Sequence, residues 1–81
     1  LSAISDRLQE IIEEFGVTTE KTIFTPTSNL QKDIGLDSLD SVELVIVVEE
    51  EWSIEIPNEE FETWDTIQDV INSIEKRVHN E

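Results

Sequence analysis

The sequence predicts an all-α fold, a four-helix bundle with three substantial helices and one short one. Three observations predict it. Apolar residues recur three and four positions apart over residues 2–15, 38–51 and 66–78, which is the period of an α-helix. Two of these stretches open on capping residues: Asp37 or Ser38 for the second, and Thr66-x-x-Asp69 for the last. The connections between them hold the two glycines and two prolines of the chain, Gly16, Pro26, Gly35 and Pro57. Eighty-one residues are read as one domain, 1–81, near the lower limit for a self-sufficient core. A hydrophobic content of 37% suffices for such a core if the apolar residues lie on helix faces.

In the first helix Ile4, Leu8, Ile11, Ile12 and Phe15 form one stripe, with Asp6, Glu10, Glu13 and Glu14 largely off it. Gly16 is the expected stop. Residues 17–37 form a long connection with Val17, Ile23, Phe24, Leu30 and Ile34 as apolar anchors, and Leu30 and Ile34 are expected to pin it. The second helix runs from about Ser38 to Glu51. Its Leu44-Val-Ile-Val-Val48 run is rich in β-branched residues, so a buried strand competes there. The capped start, the acidic flanks and a length of about fourteen residues decide for helix. Trp52 is expected to pack at its end, with Ile54 and Ile56 leading across to Pro57. Asn58 to Trp64 reads as a short helical turn carrying Phe61 and Trp64. The last helix puts Ile67, Val70, Ile71, Ile74 and Val78 on its inner face, and Lys76, Arg77 and His79 suit its C-terminal end.

Charge narrows the function. The chain carries 20 acidic and 5 basic residues, a formal net charge of −15. No base occurs between Lys32 and Lys76, an interval that holds fourteen carboxylates from Asp33 to Glu75. Nucleic acid is excluded as a partner because it needs a basic footprint, and an anionic membrane surface is disfavoured for the same reason. A basic protein surface is the expected partner. Self-repulsion among these carboxylates should also destabilise the bundle at low ionic strength. Added salt or millimolar divalent cations are therefore expected to raise the melting temperature by several degrees. A melting curve indifferent to both would show the charges to be too dispersed to matter.

The chain has no cysteine, which removes disulfides and thiolate metal sites. Any thioester chemistry must use a sulfur attached from outside. No apolar run approaches transmembrane length, so no membrane insertion is expected. The expected setting is the cytoplasm, or an organelle where a targeting segment has been removed. A monomer is expected. The acidic stretch is no calcium loop, since Asp33, Asp37 and Asp40 are spaced by four and three rather than alternating, and no metal site is assigned.

The centre of the chain is Asp33-Ile-Gly-Leu-Asp-Ser-Leu-Asp-Ser-Val-Glu-Leu44. It starts as a loop jointed at Gly35 and becomes a helix at Ser38, with Asp40 in the first turn where the helix dipole favours negative charge. A phosphate esterified to Ser38 would lie beside the positive end of that dipole. As a catalytic nucleophile Ser38 would need a base within hydrogen-bond reach. The only histidine is His79 and no lysine is near in sequence, so no catalytic residue is assigned. On residue chemistry alone, Ser38 reads as a helix cap.

Gly35-Leu-Asp-Ser-Leu-Asp-Ser-Val-Glu-Leu44 resembles the phosphopantetheine attachment motif of the acyl carrier protein family. Glu49-Glu-Glu-Trp-Ser-Ile-Glu-Ile-Pro57 and Thr66-Ile-Gln-Asp-Val-Ile71 fit the same family in order and spacing. The match is continuous from about Asn29 to Ile74 and looser over residues 2–17. The resemblance implies that Ser38 is esterified by 4′-phosphopantetheine from coenzyme A, installed by a phosphopantetheinyl transferase. The arm's thiol would then carry acyl chains as thioesters to fatty acid synthesis or acyltransferase enzymes with basic docking surfaces. It also implies that Asp37, Leu39, Asp40, Val42, Glu43 and Ile46 belong to a partner-recognition helix, with Ile46 exposed within an acidic rim. Phe61 and Trp64 stand where relatives commonly carry smaller or aliphatic residues, on the short helix that borders the acyl cavity. They are candidates for lining it, and they either repack that helix harmlessly or reshape the cavity. The rivals are a carrier of the same fold for an amino acid, D-alanine or a polyketide intermediate, and an unmodified acidic helical adaptor. Leu36-Asp37-Ser38 argues against the Gly-Gly-x-Ser common in peptidyl carriers.

Overall fold

The computed structural model describes residues 3–78, which form α1 (Ala3–Glu13), α2 (Ser38–Trp52), α3 (Asn58–Phe61) and α4 (Ile67–Val78). The three long helices pack on one another, α1 against α2 and α4, and α2 against α4. Leu8, Ile11 and Ile12 of α1, Leu44, Val45 and Val48 of α2, and Ile67, Val70, Ile71 and Ile74 of α4 are buried between them. For α1 and α4 these are the stripes that helical periodicity predicts. In α2 the periodic set Leu39, Val42, Val45 and Ile46 is exposed apart from Val45, and the buried face is Leu44, Val45 and Val48. Residues 44–48 are helical, so the strand alternative is excluded. Arg7 bonds Glu51 at 3.0 Å and so links the exposed flanks of α1 and α2.

Helix α1 ends two residues before its predicted limit. Past Glu13 the backbone tightens, with Phe15 N–H donating to Ile12 O and Gly16 N–H to Glu13 O. Gly16 then leaves at φ 76°, a left-handed conformation that costs a glycine little. Phe15 still packs against the core from outside the helix. Ser2 and His79, at the predicted outer limits of the bundle, lie outside the described residues.

The long connection holds one element the periodicity does not reveal, a single π-helical turn over Leu30–Ile34. Asn29 Oδ1 caps it by accepting from Gln31 N–H at 3.0 Å and Lys32 N–H at 2.9 Å. Leu30 and Ile34 are buried as predicted and pin the turn to the core. Backbone bonds tie the same segment to the start of α4: Leu30 N–H to Asp65 O, Ile67 N–H to Ser28 O, and Gln68 N–H to Pro26 O, all between 2.8 and 3.0 Å. Ile23 departs from expectation. It is 68% exposed and anchors nothing through its side chain. Its carbonyl instead accepts a 2.7 Å hydrogen bond from the buried Ser28 hydroxyl, so the loop is held there by its backbone.

Helix α2 ends at Trp52, half-buried against the core. Ser53 follows in the left-handed region at φ 55°, its N–H returned to Glu49 O. Ile56 is buried and Ile54 half-buried on the way to Pro57. Helix α3 is one turn long and shorter than the predicted 58–64. From Glu60 onward the bonds are those of tight turns, Thr63 N–H to Glu60 O and Trp64 N–H to Phe61 O. Helix α4 opens on the expected capping box: Asp69 N–H donates to Thr66 Oγ1, and Thr66 N–H to Asp69 Oδ2.

Since α3 is too short to be stable alone, it depends on what it touches. Glu60 makes paired 2.8 Å bonds to the Arg77 guanidinium at the end of α4, and Lys76 approaches the same carboxylate at 3.1 Å. Arg77 also donates to Glu55 O and Ser73 O. The Arg77 hydrogen bonds hold the Glu60 carboxyl down at about 2, from an ordinary 4.5, against the opposing effect of partial burial. A depressed carboxyl contributes stability in full above its unfolded value, and that contribution is lost as pH falls through the folded one. At neutral pH Glu60→Gln should therefore be less stable than the parent by about 1–3 kcal/mol. The gap should close between pH 4.5 and 2. Urea unfolding of both proteins at stepped pH checks this, and a gap independent of pH would contradict it. The comparison must be made between the two proteins, because protonation of the other carboxylates relieves repulsion in both.

Candidate functional site

Ser38 is the first residue of α2 and is exposed. The residues before it are held firmly. Ile34 and Leu36 are buried on either side of Gly35, and both Gly35 N–H and Leu36 N–H donate to Leu30 O. Gly35 turns the chain at φ 98°. The sequence left two candidates for the helix cap, and the structure selects Asp37. Its Oδ1 accepts from Asp40 N–H at 2.8 Å, while Asp40 Oδ2 accepts from Asp37 N–H at 3.3 Å, a reciprocal box. Ser41 Oγ donates back to Asp37 O. The Ser38 hydroxyl makes no hydrogen bond to any described residue. It is a primary alcohol on a rigid helix start, released from the capping duty that residue chemistry alone would assign it.

The outer face of α2 accounts for the surplus of apolar residues in that helix. Leu39 is 67% exposed, Val42 46% and Ile46 51%, at spacings of three and four along one side. Glu43 is exposed between them in sequence and makes no ion pair with any described residue. Asp37 is exposed and Asp40 half-buried, both engaged in the cap. An apolar centre with acidic neighbours is the composition of a docking surface.

A groove of about 340 Å³ opens beside Ser38. Val42, Phe61 and Trp64 form its apolar walls, and Gln31, Ser41 and Glu62 add polar groups. Phe61 meets Trp64 edge-on, ring centroids 6.4 Å apart at 63°. The Trp64 indole N–H donates to Ser73 Oγ at 2.9 Å. The two aromatics singled out from the sequence are thus brought together with Ser38. Gln31, Ser41, Glu62 and Ser73 were not foreseen. A trace of Ser73 was available, as a polar residue amid the apolar positions of α4, but nothing local marks Gln31 or Glu62. Among the described residues no group of three or more His, Asp or Glu side chains could hold a metal ion, and no helix is long and apolar enough to cross a membrane.

An exposed serine at the start of the longest helix, beside a small partly apolar groove on an acidic bundle, suits a domain that presents a covalently attached group. The comparisons with known proteins agree. A family model described as "Phosphopantetheine attachment site" matches residues 6–74. The chain is 40% identical over 78 residues to an acyl carrier protein of Thermosynechococcus vestitus, covering 95% of this chain and 94% of that one. Its fold superposes with a TM-score of 0.83 on a solved structure from Mycobacterium tuberculosis described as a candidate acyl carrier protein, at 25% identity over 93% of this chain and 99% of that one. The chain belongs to the acyl carrier protein family, and its function is to carry acyl groups on 4′-phosphopantetheine. A transferase to install the arm and acyl-handling enzymes to use it are the partners the family entails.

Proposed function

We propose that Ser38 is the residue that bears the arm. In the loading step Ser38 Oγ attacks the phosphorus of coenzyme A that carries the pantetheine. The Oγ–P bond forms as the P–O bond to the nucleotide portion breaks, and the serine proton passes to a base on the transferase. The observation that carries this reading is the free, exposed Ser38 hydroxyl, left unused because Asp37 caps the helix. A phosphate ester there meets the unsatisfied N–H groups of the first turn of α2, which offset the nearby carboxylates. Intact mass after incubation with a phosphopantetheinyl transferase and coenzyme A tests it, the expected result being a gain of one phosphopantetheine. No gain would overturn it.

The outer face of α2, with Asp37, Leu39, Asp40, Val42, Glu43 and Ile46, is the surface we assign to partner enzymes. Exposed apolar side chains beside the Glu43 carboxylate and the capping Asp37 and Asp40 support contact with a surface that is basic and partly apolar. The groove bounded by Val42, Phe61 and Trp64 is where an attached acyl chain can leave water. Its position next to Ser38 supports this role.

A further inference from the structure

We infer that Trp64, tethered by Ser73, is the end wall of this groove and restricts it to short acyl chains, leaving the distal carbons of longer ones outside. The inference rests on Ser38 bearing the arm. Trp64 is shared by two hollows, the groove of about 340 Å³ beside Ser38 and a second of about 170 Å³ on the α4 side. Val42 and Phe61 accompany the indole in the first; Asp69, Asn72 and Lys76 accompany it in the second. An alkyl chain pushed past the ring would leave an apolar wall for a polar one.

The ring also resists displacement. Its N–H bonds to the hydroxyl of Ser73, a residue only 5% exposed, so moving the indole breaks a part-buried hydrogen bond. Ser73 is itself held, since its carbonyl accepts from Arg77, and Arg77 is clasped by Glu60. Phe61 braces the ring edge-on. Phe61 and Trp64 pack against the core, in which Leu44, Val48, Val70 and Ile74 are at 0% exposure.

The test is a series of acyl forms, acetyl through dodecanoyl, made by loading the protein from the corresponding acyl-coenzyme A. Each is melted and compared with the unacylated arm-bearing form of the same variant. The melting temperature should rise through butyryl or hexanoyl by roughly 3–6 °C per buried methylene, then stop rising. In Trp64→Leu the rise should continue to decanoyl. If circular dichroism shows that variant unfolded, Trp64→Phe keeps an aromatic ring without the tether and should move the plateau by fewer carbons. Ser73→Ala, which leaves the indole but removes its acceptor, should also lengthen the series. An unbroken rise through dodecanoyl in the parent, or an unchanged plateau in the variants, would overturn the inference. A protein that does not load at all is detected by intact mass and counts against Ser38 instead.

Discussion

Ser38→Ala is expected to abolish the gain of phosphopantetheine while leaving the bundle folded. The two halves of this expectation have separate causes. Loading is lost because the nucleophilic oxygen is gone. The fold survives because the cap is made by Asp37 and Asp40, so Ser38 contributes little to the helix start and its loss should cost no more than about 0.5 kcal/mol. Six other serines remain, at 2, 5, 28, 41, 53 and 73. Ser28 and Ser73 are buried, with hydroxyls already bonded. Ser41 is the nearest competitor, one turn along α2, but its hydroxyl is committed to Asp37 O. Intact mass and a denaturation curve on the same variant check both halves, and peptide mapping locates any label. Modification at Ser41 would reject the assignment even if the total mass gain were normal.

Reversing charge on the outer face of α2 is expected to slow encounter with partner enzymes, and Glu43 is the cleaner position. Glu43→Lys replaces attraction to a basic surface with repulsion at a residue that makes no ion pair with any described neighbour. The second-order rate of arm loading or acyl transfer should fall about tenfold at low ionic strength and recover as salt screens the interaction. Asp40→Lys should slow transfer as well, but it also removes half of the capping box at the cost of about 1 kcal/mol. Its rate must therefore be compared only after stability is measured. Glu13→Lys and Glu14→Lys carry the same change of net charge on the α1 side. If they slow transfer equally, partners respond to the global charge of the domain, and the assigned surface is wrong.

Most of the bundle was legible from residues acting at short range. Periods of three and four determine which faces of α1 and α4 are buried, because a helix brings i, i+3 and i+4 to one side whatever surrounds it. Helix α2 has apolar residues on two faces, so its period marks it as a helix without choosing the buried side. Thr66 and Asp69 form their box because a cap needs only its own first turn. Gly16 stops α1 for a similarly local reason. The family motif over residues 35–44, the exposure of Ile46 and the pinning of the long loop by Leu30 and Ile34 were also readable along the chain.

Tertiary structure decided what depends on partners distant in sequence. Whether Asp37 or Ser38 capped α2 was open, since either side chain can reach the same N–H groups; the folded loop leaves the duty to Asp37. Ile23 is as hydrophobic as Leu30, yet only Leu30 is buried: backbone bonds to Asp65 and Ile67 draw residues 28–30 against α4, whereas at Ile23 it is the carbonyl that is engaged, by Ser28. The joining of Phe61 and Trp64 to Ser38 in one groove, and of Trp64 to Ser73 nine residues on, required α3 to be clasped against α4 by Glu60 and Arg77. Hydrophobic periodicity specifies which side of a helix seeks the core. It carries no information on which polar atoms meet when separate segments pack, and at this site those meetings set the shape of the groove.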